Sequence, residues 1–420
     1  MPPSADALAS SAAAGAKAPH SARALPILLF VVFINLVGFG IVIPLLPFFA
    51  QSFEAAAWQI TLLFSAYSVG QFFAEPFWGR LSDRVGRKPI LAITLFANAA
   101  SYLALAFAPT IWIALALRLV GGFASGNIST IQGYMADITP PERRAGRMGL
   151  LGAAFSLGFI IGPALGGLLA RPDLGPMGFR IPLFVAAGLA ATAGVGVLLF
   201  VRESLTAPDP HAKRPGRFEA LGDAMRHPVI RRVLLVSLIY MAAFASMESV
   251  FALWAERRFD WTPREVGLNF VVIGVVAFFG QAFLSGMAAR RFGEARVLTF
   301  GMAVFGVALL LQAYSPAWWF VPLVSALAAF GQSLALPNSS ALISRSSPPD
   351  QQGAMLGLNM AAGSAGRITG PIVGGVLFSA VQPAAPFVAG AALAFLAAYL
   401  AVEAGRRFGA GPAAALPSAA

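Results

Sequence analysis

A chain of 420 residues that is 58% hydrophobic and only 11% charged, with a mean hydropathy of +0.75, has too much apolar surface for an aqueous core. Soluble domains carry about 25% charged residues, so the bilayer is the expected solvent. The formal charge of +11 sits in short breaks between apolar runs, which fits membrane topology and not a nucleic-acid footprint, and the absence of Cys excludes disulfides, thiolate catalysis and Cys-ligated metals.

Residues 1–24 are rich in Ala, Ser and Pro. They lack the apolar core and cleavage site of a secretory signal, so they read as a disordered tail, as does 405–420. Between the tails lie twelve runs, each near the roughly 20 mostly apolar residues that a membrane-crossing helix needs. Spans 1 to 6 are predicted at 25–48, 58–78, 90–108, 111–136, 148–170 and 181–201. A polar linker, 202–228, follows, with a short surface helix predicted in its RFEALGDAMR stretch. Spans 7 to 12 are predicted at 229–254, 265–285, 297–315, 317–344, 354–380 and 384–403. The expected fold is therefore all-α and integral to the membrane, with six-helix halves at 25–201 and 229–404.

With the N-terminus placed in the cytoplasm, Arg171, Arg180, Arg257, Arg258 and Arg264 fall on the outer side, and Arg118 and Arg367 fall inside spans. The other 22 of the 29 cationic residues fall on the cytoplasmic side. That asymmetry follows the positive-inside rule and puts both termini in the cytoplasm.

The halves repeat. At an offset of 208, Pro140-Pro141-Glu142 matches Pro348-Pro349-Asp350, Gly149 matches Gly357, Gly162-Pro163 matches Gly370-Pro371, and Gly166-Gly167 matches Gly374-Gly375. At an offset of 207, Gly79, Arg84, Gly86 and Leu91 match Gly286, Arg291, Gly293 and Leu298. Repeated six-helix halves are the signature of a transporter with a midplane site between them and alternating access by rocking.

The stretch GRLSDRVGRKPIL, from Gly79, forms the turn between spans 2 and 3. Gly79 and Gly86 permit a tight turn and close helix approach. Asp83 is placed to accept hydrogen bonds from a helix N-terminus, by symmetry that of span 11. Arg87 is placed to pair with Asp137 at the end of span 4. Together with Arg84 these residues are expected to latch the cytoplasmic side shut. The repeat has Arg290 in place of Asp83. The plainer alternative is a topology signal alone.

These residues resemble the signature turn of the major facilitator superfamily. RLVGGFASG, from Arg118, resembles its span-4 motif, and GFIIGPALGG, from Gly158, resembles the span-5 motif of its antiporter branches. YMADITPPERRAGRMGLLGAAF, from Tyr134, and LWAERRFDW, from Leu253, resemble tetracycline-efflux-type proteins of the drug:proton antiporter branch. The resemblance runs from about residue 25 to 404. It implies the major facilitator fold, a bacterial inner-membrane location and a coupling role for Arg118. Tetracycline exporters of this type carry acidic residues in spans 1, 3 and 9; here Asn35, Ser101 and Phe305 stand there, so a proton site is expected elsewhere.

Charge within a bilayer is costly and usually functional. His20, His211 and His227 all fall outside the spans, and of the 18 acidic residues only Glu75 and Glu248 fall well inside them. A carboxylate sheds its burial cost on taking up a proton, so Glu248 in span 7 is the leading proton-coupling candidate. By helical rise Arg367 in span 11 lies at similar depth, either as Glu248's coupling partner or in a permanent ion pair with it. Arg118 is expected to face the same cavity. Glu75, near the cytoplasmic end of span 2, is the second proton-coupling candidate, and a gate or latch role is expected of it before substrate binding. Gly158, Gly162, Pro163, Gly166 and Gly167 form a small-residue face expected to seal the contact between halves, or simply to pack. Spans 1, 4, 7 and 10 line the cavity in the superfamily, which nominates Asn35, Asn127, Gln132, Tyr240, Gln332 and Asn338 beside Glu248.

There is no phosphate-binding loop and no His or Cys metal cluster, so no metal or cofactor is expected and the energy source is a proton gradient. The expected function is proton-coupled export of small lipophilic compounds by a monomer, with a small-molecule substrate, protons and the lipid bilayer as partners and no nucleic acid. An uptake carrier or facilitator for a small metabolite is the alternative within the fold. A membrane-embedded enzyme and a channel are alternatives outside it.

Overall fold

The computed structural model describes residues 18–140, 143–205, 217–348 and 351–409. Among these the chain is helical apart from short turns, with no strand. The first half contains span 1 (Ala18–Gln51), span 2 (Ala57–Val85), span 3 (Arg87–Ala106), span 4 (Ile111–Ser125 and Ile128–Asp137), span 5 (Arg144–Leu169) and span 6 (Pro176–Phe200). The helix Arg217–Arg226 lies where the surface helix was predicted. The second half contains span 7 (Pro228–Phe259), span 8 (Pro263–Phe279 to Gly286–Phe292), span 9 (Glu294–Ala313), span 10 (Phe320–Ser346), span 11 (Gln352–Ala380) and span 12 (Ala385–Gly409).

Helix begins at Ala18, seven residues inside the predicted tail. Pro141, Glu142, Pro349 and Asp350 of the repeat, and the segments 1–17, 206–216 and 410–420, lie outside the described residues. Ten of these helical rods are long and apolar enough to cross a membrane by length and composition. Spans 2 and 11 are long but less apolar, because much of their length faces protein: Thr61, Ser65 and Ser68 of span 2 are buried, as are Gly370, Gly374 and Gly375 of span 11. An even number of crossings puts both described chain ends on one face, called here the terminal face. Trp112, Tyr314, Trp318 and Trp319 stand exposed at the opposite face, where amphipathic rings mark a membrane–water interface.

Two local breaks matter for the site. Span 4 is interrupted at Gly126-Asn127, where a Cβ on Gly126 would run into Ala74 and Glu75 of span 2. Span 8 contains a π-helical turn, Gly280–Ser285, of the kind that often marks functional positions. The repeat reaches the backbone itself. Gly86 and Gly293 both have positive φ, 113° and 84°, and each joins two spans with no other linker residue, a conformation that favours glycine. His227 lies outside the spans and caps span 7: its Nδ1 accepts from the Ile230 N–H at 3.4 Å. Burial lowers the imidazole pKa below its usual value, which keeps that nitrogen an acceptor.

Candidate functional site

The glycine repeats show how the halves meet. Gly158, Gly162 and Gly166 of span 5 press against Leu36, Gly40 and Ile41 of span 1. Their copies at the 208 offset, Gly366, Gly370 and Gly374 of span 11, press against Leu238, Ala242 and Ser246 of span 7. Both contacts lie within a half, so for these three glycines and their copies the packing alternative describes the structure and the sealing one does not. One residue further on, the motif does cross. Gly167 meets Pro263 and Gly267 of span 8, and Gly375 meets Trp58 and Thr61 of span 2. The carbonyl of Pro163 also lies against Gly267.

These crossings join the halves toward the opposite face. Gln51 Nε2 donates to Glu256 Oε2 at 2.5 Å there, and Ser65 Oγ donates to the Ile368 carbonyl at 2.8 Å. Toward the terminal face, a Cβ on Gly149 or Gly152 of span 5, or on Gly357 of span 11, would meet nothing within 4 Å. The described contacts between the halves thus gather toward the opposite face.

Between the halves lies a chamber of about 340 Å³, within the usual size of a small-molecule site. Its walls are aromatic and sulfur-rich. Phe155 and Phe159 come from span 5, Met241, Phe244 and Met247 from span 7, Phe270 from span 8 and Phe305 from span 9. Such walls are adaptable, since Met re-packs at low cost. Glu248 and Arg367 are the chamber's charged residues, with Gln281, Gln312 and Gln332 among its polar ones. A smaller cavity opens beside it, lined by Tyr67 and Arg118 from the first half and by Glu248 and Arg367 from the second. Arg118 is 5% exposed. It donates through Nε to the Leu63 carbonyl at 3.3 Å and sits 4.3 Å over the Tyr67 ring, a cation–π contact that holds a desolvated guanidinium in place.

Glu248 and Arg367 line both cavities, yet they form no ion pair within 4.0 Å among the described residues. The permanent pair that their depth allowed is absent in this state.

The charged turn is tightly organised. Arg87 is 8% exposed. Its guanidinium lies 2.6 Å from Asp83 and 3.2 Å from Asp137, and donates to Ser82 Oγ at 2.7 Å. Gly133 of span 4 leaves room for it, since a Cβ there would displace the guanidinium. Glu203, just past span 6, supplies what sequence reasoning missed. Its carboxylate accepts from the backbone N–H groups of Arg87 and Lys88 at 2.8 and 3.0 Å, so it caps span 3 where the helix dipole favours negative charge. Asp83 was expected at the N-terminus of span 11; Pro349 and Asp350, just before that helix, lie outside the described residues, and the contacts at Thr61 and Ser65 join spans 2 and 11 toward the other end. Arg84 is exposed, and Gly79 packs against Ser129.

Asp83→Asn removes one of the two carboxylates on the buried Arg87. It is expected to slow transport several-fold at unchanged expression, measured as initial rate per immunodetected protein. An unchanged rate would leave the turn a topology signal only.

The remaining nominated residues divide clearly. Gln332 lines the chamber. Tyr240 packs behind its wall, with its ring 5.5 Å from that of Phe305. Asn35 accepts from Asn98 at 3.3 Å, and Asn98 accepts from Ser125 at 2.9 Å, a polar network inside the first half. Asn127 donates to Thr94 at 2.9 Å, and Asn338 donates to Ser285 and the Leu334 carbonyl; both are 2–3% exposed and serve helix packing. Gln132 is exposed and lines neither cavity. Glu75 is half-buried beside the break in span 4, where its carbonyl accepts from Ser129 at 2.9 Å. No cluster of His, Cys, Asp and Glu among the described residues has the form of a metal site.

Comparison with known proteins follows this geometry. The family model of the Major Facilitator Superfamily matches residues 28–279 and 249–408. The class C tetracycline resistance protein of Escherichia coli is 32% identical over 374 residues, 86% of this chain and 91% of that protein. Multidrug resistance protein 2 of Bacillus subtilis (strain 168) is 29% identical over 357 residues, 84% of this chain and 88% of its own. A bacterial homologue of the human lysosomal transporter Spinster, solved inward-facing and unoccupied, superposes with a TM-score of 0.77 at 17% identity over 96% of this chain and 100% of that one, a likeness of fold alone.

Proposed function

The chain belongs to the Major Facilitator Superfamily, and from that premise we propose that it exports small lipophilic compounds in exchange for protons. It is a multi-pass membrane transporter of the drug-efflux type with a small-molecule substrate, and not an enzyme. The chamber is the observation that carries the finer reading. It is walled by Phe and Met, and its charged groups, Glu248 and Arg367, are left unpaired where the halves meet. Apolar walls select lipophilic compounds over sugars or phosphates. A carboxylate in such a site exchanges protons and substrate against one another, since each neutralises or displaces the same charge.

In this reading the terminal face is cytoplasmic, the membrane is a bacterial inner membrane, and the chain works as a monomer without a cofactor, drawing on the proton gradient alone. The chamber, with the contacts between the halves gathered toward the opposite face, is then in the state that loads substrate from the cytoplasm. In an efflux-deficient bacterium, the protein is expected to lower the accumulation of lipophilic dyes and antibiotics, and a protonophore is expected to restore it. Raised accumulation in cells containing the protein would instead identify an uptake carrier.

A further inference from the structure

The end of the chamber toward the opposite face holds a polar group that the transport cycle described above does not use. Gln312, in the last turn of span 9, lines the chamber and is only 4% exposed. Its Nε2 is buried without a hydrogen-bond partner among the described residues. A donor left unpaired in a low-dielectric interior is expensive to keep. Its surroundings do not relieve it. Leu309 and Ala308 flank it on span 9, and Ala328 and Ala329 of span 10 line the same wall.

Two further polar residues come to this end from neighbouring helices. Ser325 of span 10 lines the chamber. Asn269 of span 8, 2% exposed, donates through Nδ2 to Ser325 Oγ at 3.1 Å, while its Oδ1 lacks a partner. Three spans of the second half thus bring amide and hydroxyl groups to an end of the chamber that is otherwise apolar, and beyond the Asn269–Ser325 bond the Gln312 donor and the Asn269 acceptor remain unspent.

We propose that Gln312, backed by Ser325 and Asn269, forms a hydrogen-bonding subsite that takes a carbonyl group of an otherwise lipophilic compound. This rests on the reading of the chamber as the substrate site and narrows the substrate class. The Nε2–H donates to the carbonyl oxygen, while the apolar remainder of the compound lies along Phe270 and Phe305. A compound of the same shape without an acceptor leaves the amide unpaired, and a site built to bond a polar group discriminates against the analogue that lacks it. A trapped water would satisfy the same donor and give no such discrimination.

The test uses two probes that differ at one carbonyl: (4-acetylbenzyl)triphenylphosphonium and (4-ethylbenzyl)triphenylphosphonium. Their equilibrium affinities for the purified full-length protein are measured by titration calorimetry, which requires neither a gradient nor a direction of transport. The acetyl probe is expected to bind more tightly. Gln312→Met, which keeps the side-chain length and removes the donor, is expected to weaken acetyl binding about tenfold and to leave ethyl binding within about twofold. Unchanged ethyl binding also shows that the variant is folded. Ser325→Ala is expected to weaken acetyl binding in the same direction by a smaller factor. Equal loss for both probes assigns Gln312 a packing role and overturns the proposal. No loss for either overturns it in favour of a bound water, and a parent protein that binds neither probe overturns the chamber as the site. Discrimination that persists in a protein unable to lower dye accumulation would leave the subsite standing and remove only the export reading.

Discussion

Glu248→Gln is expected to abolish uphill export while exchange of substrate between the two sides continues. Gln keeps the volume of Glu and its capacity for hydrogen bonds, so the chamber walls and the substrate contacts survive. What is lost is the ability to take up and release a proton. One proton crossing a potential of 100 mV is worth about 2.3 kcal/mol, or about fifty-fold in the concentration ratio that a one-to-one exchanger sustains. Reconstituted vesicles with an imposed gradient are expected to lose that ratio in the variant. Counterflow of labelled against unlabelled compound, which needs no gradient, is expected to proceed within a few-fold of the parent. The two assays together separate coupling from binding. Loss of both would make Glu248 a substrate ligand or a structural residue. Retention of uphill export would move the coupling role to Glu75, the other carboxylate well inside a span. The position of Glu248 favours it. It lines both the chamber and the smaller cavity that Arg118 enters from the other half, so a change in its charge reaches a substrate and the seam between halves together. Glu75 lines neither and lies beside the break in span 4.

The unpaired state of Glu248 and Arg367 fits this role. A permanent ion pair would be inert to the gradient, because breaking a buried pair costs several kcal/mol. Two groups that share one cavity without contact can pair in one state and separate in another. Each step of the cycle then trades one partner for the next. Arg118 differs in kind. Its contacts with the Leu63 carbonyl and the Tyr67 ring hold it within the first half, so it presents a fixed positive charge to the seam.

Much of this arrangement was legible in the sequence. Twelve apolar runs, a polar linker and glycine pairs repeated at a fixed offset were enough to place the spans and their symmetry. Glu248, Arg367 and Arg118, which the structure places on the cavity walls, stood out because charge inside an apolar run is conspicuous. The chamber walls were not. Phe155, Phe159, Phe270 and Phe305 belong to spans 5, 8 and 9, whose sequences are apolar all round, so nothing in the pattern says which face turns inward. The same ambiguity placed Asn127 and Asn338 in the cavity, when each bonds a neighbouring helix instead. In a bilayer the polar residue of a helix pairs where it can, and pairing between helices competes with exposure to a cavity. Glu203 was missed for another reason. It lies 116 residues from the Arg87 N–H that it caps, and a helix N-terminus leaves no mark on a distant carboxylate. The π-helical turn in span 8 likewise depends on packing against span 10, where a Cβ on Gly280 would strike Ser333.

Gly375→Val is expected to trap the transporter open at the opposite face and to abolish export. A Cβ at Gly375 would come 2.9 Å from Trp58 Cα and would overlap the Thr61 hydroxyl. These atoms belong to the other half, so the clash exists only while the seam is closed. Overpacking of this kind costs about 1–3 kcal/mol, which shifts a two-state equilibrium by about 5- to 150-fold. The fold itself is spared, because rocking the halves apart relieves the contact. Gly366 is the contrasting position. A Cβ there would meet the Leu238 carbonyl at 2.5 Å, within the same half, and no rocking relieves it, so Gly366→Val is expected to lower thermal stability and yield of folded protein. The chain contains no Cys, so a single cysteine replacing the chamber residue Ser156 reports access without background. An impermeant maleimide applied from the terminal face is expected to label that cysteine at least about fivefold more slowly when Gly375 is Val, and faster when applied from the opposite face. Labelling that is unchanged from both faces, with export intact, would mean that the Gly375–Trp58 contact is not a gate. The glycine one position beyond each packing motif would then be a spacer within the fold, and closure at the opposite face would rest on Gln51 with Glu256 and on Gly167 with Gly267.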